Sequence, residues 1–218
     1  MIEWFAKLHP SDQLHAIAFL GAAAAFSIGL AQYIRAQTWK RTEWVAQEME
    51  SFFNDWRVMA ALRMIDYGER RLELYPSRAN ETERYVMVLD DDVAKALEHH
   101  IVRQRDNRAF TDDELTIRDI FDQFLNRLER IQSFIRTGLL SYRHVRPYLD
   151  YWAVQVLEAE AADVRVLRIV ALRRFMDVYG YHGVRALFCK LARRRWPATT
   201  QVDSASPTRD RDITASLT

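Results

Sequence analysis

From Ala16 to Ile34 the chain reads AIAFLGAAAAFSIGLAQYI, apolar on every face of a helix, and no Asp, Glu, Lys or Arg occurs from Gln13 to Tyr33. Nineteen residues rising about 1.5 Å each reach roughly 28 Å, close to the hydrocarbon thickness of a bilayer at about 30 Å. The pattern predicts one transmembrane helix over 14–34, preceded by a short tail, 1–13. Beyond it, no Pro or Gly occurs between Arg35 and Tyr67. Val45, Met49, Phe52, Trp56 and Met59 follow a 4-3-4-3 spacing there. That is a short coiled-coil-like seam, too brief to define a coiled coil, and its plainer reading is an amphipathic helix packed on its own domain. Asn54 is a candidate cap for a new helix at Asp55. Gly68 and Pro76 mark weakening and termination near Tyr75.

Residues 77–83 are polar and read as a loop, and Tyr85–Leu89 is an apolar run that fits helix or strand. Asp90, Asp91 and Asp92 precede a helical pattern of Val93, Ala96, Leu97, His100 and Ile101, followed by a charged loop over 104–110. Thr111 and Glu114 form a T-x-x-E capping box, and one broad apolar stripe follows from Ile117 to Ile135. Gly138 is placed as its C′ residue. Further helices are expected from Ser141 or Pro147, from about Asp163 to Tyr179, and from Gly183 to Arg195. The tail 197–218 is small and polar and is expected to be disordered. The fold class is therefore all-α: a single N-terminal transmembrane helix, then an antiparallel helical bundle over 35–196 and a disordered C-terminal tail.

Flanking charge orients the span. Glu3, Lys7 and Asp12 stand before it, Arg35, Lys40 and Arg41 after it. The positive-inside rule places the N-terminus outside and the C-terminal domain in the cytoplasm, as a single-pass protein of the inner (plasma) membrane. The weak n-region argues against a cleaved signal peptide. Within the span Gly21, Ala25 and Gly29 recur every four residues on one face, where close backbone approach favours a homo-oligomer.

Composition adds little beyond this. The formal net charge is +1, so an electrostatic partner must be sought in local asymmetry. That asymmetry lies between Asp163 and Trp196. Arg165, Arg168, Arg173, Arg174, Arg185, Lys190, Arg193, Arg194 and Arg195 oppose only Asp163 and Asp177. The plain reading is a solvated face paired internally with the acidic part of the domain. The functional reading gives Arg193, Arg194 and Arg195 an anionic partner, with anionic lipid ahead of nucleic acid or a nucleotide.

The candidate chemistry is thin. Asp90, Asp91, Asp92, His99 and His100 come nearest to a metal cluster, but Asp92 and His100 lie two helical turns apart, about 12 Å. Acids capping a helix are the plainer account, and no metal site is assigned. The single cysteine, Cys189, excludes an intramolecular disulfide and a Cys-x-x-Cys site, and is read as a buried, inert thiol. His182 is seven residues before it, too far to activate it. No G-x-G-x-x-G, no G-x-x-x-x-G-K-[ST], no H-E-x-x-H and no G-x-S-x-G occurs. No catalytic residue and no cofactor is assigned, and the chain is read as non-enzymatic.

Phe52-Phe53-Asn54-Asp55, the run from Ala60 to Tyr67, the helix Ile117 to Leu128, and Gly138-Leu139-Leu140 with Tyr148 to Trp152 carry a resemblance. Together they are similar to an uncharacterised bacterial family of small membrane-anchored proteins with a helical cytoplasmic domain of unknown function. The resemblance covers about half the chain and implies the architecture only. The expected role is a membrane-tethered interaction or regulatory module acting as a homo-oligomer. The alternative is a membrane effector of a stress or phage-defence system that senses a nucleotide or nucleic acid.

Overall fold

A computed structural model describes residues 10–158 and 167–197. The expected disorder of the tail falls on residues outside these, apart from Pro197. The protein is mostly helical, and its first element is the longest. Helix α1 runs Pro10–Asn54 without interruption, so the apolar N-terminal stretch continues directly into the packed domain. Among the described residues nothing covers α1 from Ile17 to Ile34, whereas Val45, Met49 and Phe52 are buried in the core. The seam seen in the sequence is therefore spent on the protein's own domain.

The chain breaks at Asp55, whose carboxylate accepts a hydrogen bond from the Arg57 N–H at 2.9 Å. Asp55 is the N-cap of α2 (Trp56–Asp66), one residue after the cap expected at Asn54. Both residue types cap well, and the backbone places the extended conformation at Asp55.

A two-stranded antiparallel sheet follows, where an all-α fold was expected. Strand β1 (Glu69–Glu73) pairs with β2 (Tyr85–Leu89) in the register Glu69↔Leu89 to Glu73↔Tyr85. The short helix α3 (Glu81–Arg84) lies in the connection, inside the stretch read as a loop. Leu72 and Val88 point inward while most of the hairpin stays exposed. Helix α4 (Asp90–Ala96) and α5 (His100–Arg105) are separate, although the sequence pattern joined them. The break comes where Leu97 closes α4 and the His99 ring accepts from the Ile101 N–H at 3.2 Å, capping α5.

Helix α6 (Asp112–Arg136) forms as its sequence dictates. Thr111 Oγ1 accepts from the Glu114 N–H at 3.2 Å, and Glu114 accepts from the Thr111 N–H at 2.9 Å. Its stripe, Ile117 to Ile131, is buried. Gly138 follows with φ of 76°, a left-handed conformation that glycine adopts without strain. Helix α7 (Tyr142–Glu158) carries Pro147 within it. Helices α8 (Leu167–Val178) and α9 (His182–Ala192) complete the described fold. Glu129 of α6 caps α9, accepting from Gly183 N–H at 2.8 Å and Val184 N–H at 3.0 Å. A side chain at Gly183 would collide with that carboxylate, so the glycine permits the cap.

Partners along α1 and α6 form a ladder. Trp44 meets Phe134 with ring centroids 5.0 Å apart, Glu48 pairs with Arg130 at 3.4 Å, and Ser51 accepts from Arg127 at 2.9 Å. Arg127 also pairs with Asp55 at 3.0 Å. As residue numbers rise on α1, their partners' numbers fall on α6. Phe52, Phe121, Phe124, Phe175 and Phe188 fill the centre of the core.

Candidate functional site

The apolar part of α1 presents two features. Two hydroxyls in or just beyond it are satisfied within the helix: Ser27 donates to the Ala23 carbonyl at 2.8 Å and Thr38 to the Ile34 carbonyl at 2.9 Å. Neither of these two hydroxyls needs water, which suits an apolar surrounding. Gly21, Ala25 and Gly29 are exposed, and a methyl group added at either glycine would meet nothing within 4 Å. That face is open to a neighbour.

The basic C-terminal segment separates into two populations. One is turned inward. Arg168 pairs with Asp90 at 2.6 Å and donates to the Ile65 carbonyl at 3.2 Å, tying α8 to α4 and α2. Arg173 is buried in the core layer of α8, and Arg185 pairs with Asp177 at 3.0 Å and stacks over Trp196. Arg165 lies outside the described residues. The other population faces solvent: Arg174, Lys190 and the run Arg193, Arg194 and Arg195. All three are exposed, and their surroundings differ. Arg193 sits in the left-handed conformation, φ 56°, and reverses the chain. Arg194 then folds back to Glu158 at 3.0 Å, and Trp196 returns to Arg185. Arg193 stays at the end of α9.

There it joins residues the sequence reading did not single out. Tyr142, Arg143 and Arg146 of α7 face Cys189, Lys190, Leu191 and Arg193 across a groove of about 450 Å³. Arg146 donates to the Leu191 carbonyl at 2.8 Å, which satisfies the end of α9 and fixes the guanidinium. Among the described residues no acidic side chain lines the groove; Asp150 lies 3.9 Å from Arg146 Nε. The sequence signal was faint. Arg143 and Arg146, and again Lys190 and Arg193, are three apart, one helical turn.

The aspartates and histidines disperse. Asp90 binds Arg168, Asp91 pairs with Lys95, and Asp92 accepts from the Leu89 N–H at 3.0 Å. Among the described residues no three His, Cys, Asp or Glu side chains gather as a metal site. His99 and His100 stack at 4.6 Å, and His100 Nδ1 lies 2.7 Å from the Tyr179 hydroxyl, which also accepts from Arg118 at 2.5 Å. Burial lowers the His99 pKa below the usual histidine value, and the charges of His100, Arg118 and Arg174 lower it further. Beside this cluster a pocket of about 330 Å³ is lined by Lys95, Glu98, His99, Arg108 and Arg174 together with Leu97, Leu167 and Val170. Cys189 is half-buried, and burial pushes its thiol pKa up, away from a reactive thiolate.

No family model, curated protein or solved structure matches the chain.

Proposed function

We propose that this chain is a membrane-tethered, non-enzymatic interaction or regulatory module that works as a homo-oligomer. Its soluble part is an antiparallel helical bundle on the cytoplasmic side of the inner membrane, with the N-terminus outside. One observation carries the reading. Helix α1 is long and apolar enough to cross a membrane, none of its apolar window is buried, and the same helix enters the core without a break. Leu14, Ile17, Phe19, Leu20, Phe26, Ile28 and Leu30 all stand exposed. Leaving each in water forgoes about 1.5–3 kcal/mol, so the set is comparable to the whole net stability of an ordinary domain, about 5–15 kcal/mol. A lipid surrounding removes that cost. The α1–α6 ladder supports antiparallel packing, and the open face at Gly21, Ala25 and Gly29 supports pairing of spans.

The alternative, a membrane effector that senses a nucleotide or nucleic acid, draws support from the cation-lined pocket beside His99. Two of its cations are already engaged, Lys95 with Asp91 and Arg108 with Asp106 at 3.0 Å and with the pocket's own Glu98 at 3.4 Å. That ranks it second.

The test combines topology and association. A reporter fused after Thr218 is expected to be active only in the cytoplasm, and Gly21→Ile with Gly29→Ile is expected to weaken cross-linking in membranes severalfold. Periplasmic reporter activity overturns the orientation. Unchanged cross-linking overturns the assigned face.

A further inference from the structure

The α1–α6 ladder fixes which end of the soluble domain faces the membrane. Phe134 lies against Trp44, and both helices advance about 1.5 Å per residue. Helix α6 ends at Arg136, two residues beyond Phe134 and level with about Thr42 on α1, and the turn around Gly138 follows on the side of Lys40. The level of Lys40 is about 9 Å past Ile34, where the apolar stretch ends. A headgroup layer is about 5–7 Å thick on each side, so the turn between α6 and α7 stands about 2–4 Å beyond it, within reach of a long side chain.

The surface of that turn suits the position. Leu139 is 53% exposed, a large apolar side chain at the tip of a polar loop. Arg136 just before it and Arg143 just after it are exposed. Behind them lies the acid-free groove, with Lys190 and Arg193 on its far wall. Arg136, Arg143, Lys190 and Arg193 have no ion-pair partner among the described residues, so their charges remain available to an outside anion. Lys40 and Arg41 of α1 sit at the same level and continue the basic belt.

We propose that the α6–α7 turn is a second membrane contact, in which Leu139 enters the interface of the anionic leaflet while Arg136, Arg143, Lys190 and Arg193 hold lipid phosphates. This rests on the membrane-tethered reading. It assigns the lipid contact to the turn and the groove behind it, with Arg193 the one member of the C-terminal arginine run that takes part. The span holds the domain within reach, so a contact of modest strength suffices to orient it. Tilt of the span toward this side brings the groove closer.

The experiment uses the full chain in vesicles, with nitroxide labels at Leu139→Cys or Ala24→Cys in a Cys189→Ser background. Collision with a water-soluble relaxant is compared in phosphatidylglycerol and phosphatidylcholine vesicles. The label at 139 is expected to be shielded in the anionic vesicles and open in the neutral ones and at high salt. Each Gln replacement among the four cations is expected to lower the docked-to-undocked ratio about fivefold. Equal accessibility of 139 in both lipids, or shielding that survives all four Gln replacements, overturns the proposal. The label at 24 separates the two readings. Shielded in both lipids, it leaves the tether standing while 139 decides the contact. Open to the relaxant, it overturns the tether and the contact together.

Discussion

Phe26 in α1 and Phe124 in α6 are the same side chain on two helices of one chain, yet the first is 73% exposed and the second 1%. The difference lies in what surrounds them in sequence. Around Phe124 the apolar residues come at three- and four-residue steps, and charges such as Arg118, Asp119 and Arg130 fill the other positions. Such a stripe dictates one buried face. Around Phe26 there is no charged position at all, so no face is assigned to water and none to a protein core. A helix apolar on every side must find an apolar medium all round it. Helix α1 contains both logics, changing from the second to the first between Ile34 and Val45.

The largest test of that contrast places charge where the pattern forbids it. Replacing Ala24 and Ala25 by Arg puts two cations at the middle of the proposed span, at about 2.5–3.5 kcal/mol each. The wild-type chain is expected to stay with membranes through alkaline extraction, and the double variant to leave them while keeping its helical circular dichroism. If both variants extract alike, α1 is not held by lipid, and the two helices differ for some other reason.

The next test removes the same ring from both places. Phe124→Ala is expected to lower the unfolding free energy of the domain by about 3–5 kcal/mol, because it leaves a cavity in a packed core. Phe26→Ala is expected to leave that unfolding unchanged in detergent micelles. Urea denaturation of the full chain, followed by near-ultraviolet circular dichroism, reads both. A comparable loss from Phe26→Ala means the apolar part of α1 packs on the domain.

What the sequence made legible divides along the same line. Periodic stretches with local caps could be read directly: the Thr111–Glu114 box, the buried stripe of α6, Gly138 at φ 76° and the start of α7 near Ser141. Elements whose burial comes from partners far along the chain could not. Strand β1, ERRLE, buries only Leu72 fully and has the composition of an exposed helix; it is a strand because residues 85–89 pair with it. The break between α4 and α5 uses His99 as a cap, a residue type that carries no strong start signal. The basic C-terminal run was visible as charge, but its geometry was not. Arg168 reaches Asp90 across 78 positions, and the left-handed turn at Arg193 sends Arg194 away from its neighbour. Counting charge gives sign; only the backbone gives direction. For the same reason the groove between α7 and α9 went unread, since its two basic pairs sit 44 or more residues apart and each alone looks like a solvated helix turn.

The smallest expected effect concerns pH, and it sharpens the comparison because only one of the two regions holds a carboxylate in its structure. At the start of α6, Glu114 is buried against Arg103, whose guanidinium also holds Glu98 at 2.9 Å and the carbonyls of Lys95 and Ala109. Burial alone pushes the Glu114 pKa up. Hydrogen bonds from Arg103 and Thr111, with the Arg103 charge, outweigh burial and hold it below the usual glutamate value. A carboxyl group with a depressed folded pKa binds fewer protons folded than unfolded. Its stabilisation is complete above the unfolded value, about 4.3, and is lost as pH falls through that value to the lower folded one. Glu114→Gln keeps the shape and a hydrogen-bond acceptor but removes the charge from Arg103. It is expected to cost about 2 kcal/mol near neutral pH, in line with hydrogen bonds to charged groups. The gap between variant and wild type is expected to narrow steadily below about pH 4.3, where the wild-type carboxyl group also takes up its proton. Membrane retention is expected to stay constant over the same range, since no acidic residue occurs from Gln13 to Tyr33. Urea unfolding at neutral and acid pH, paired with vesicle flotation, measures the two regions side by side. A gap that stays constant with pH shows that Glu114 is not the linked group, and flotation that fails in acid shows that the span depends on the domain beneath it.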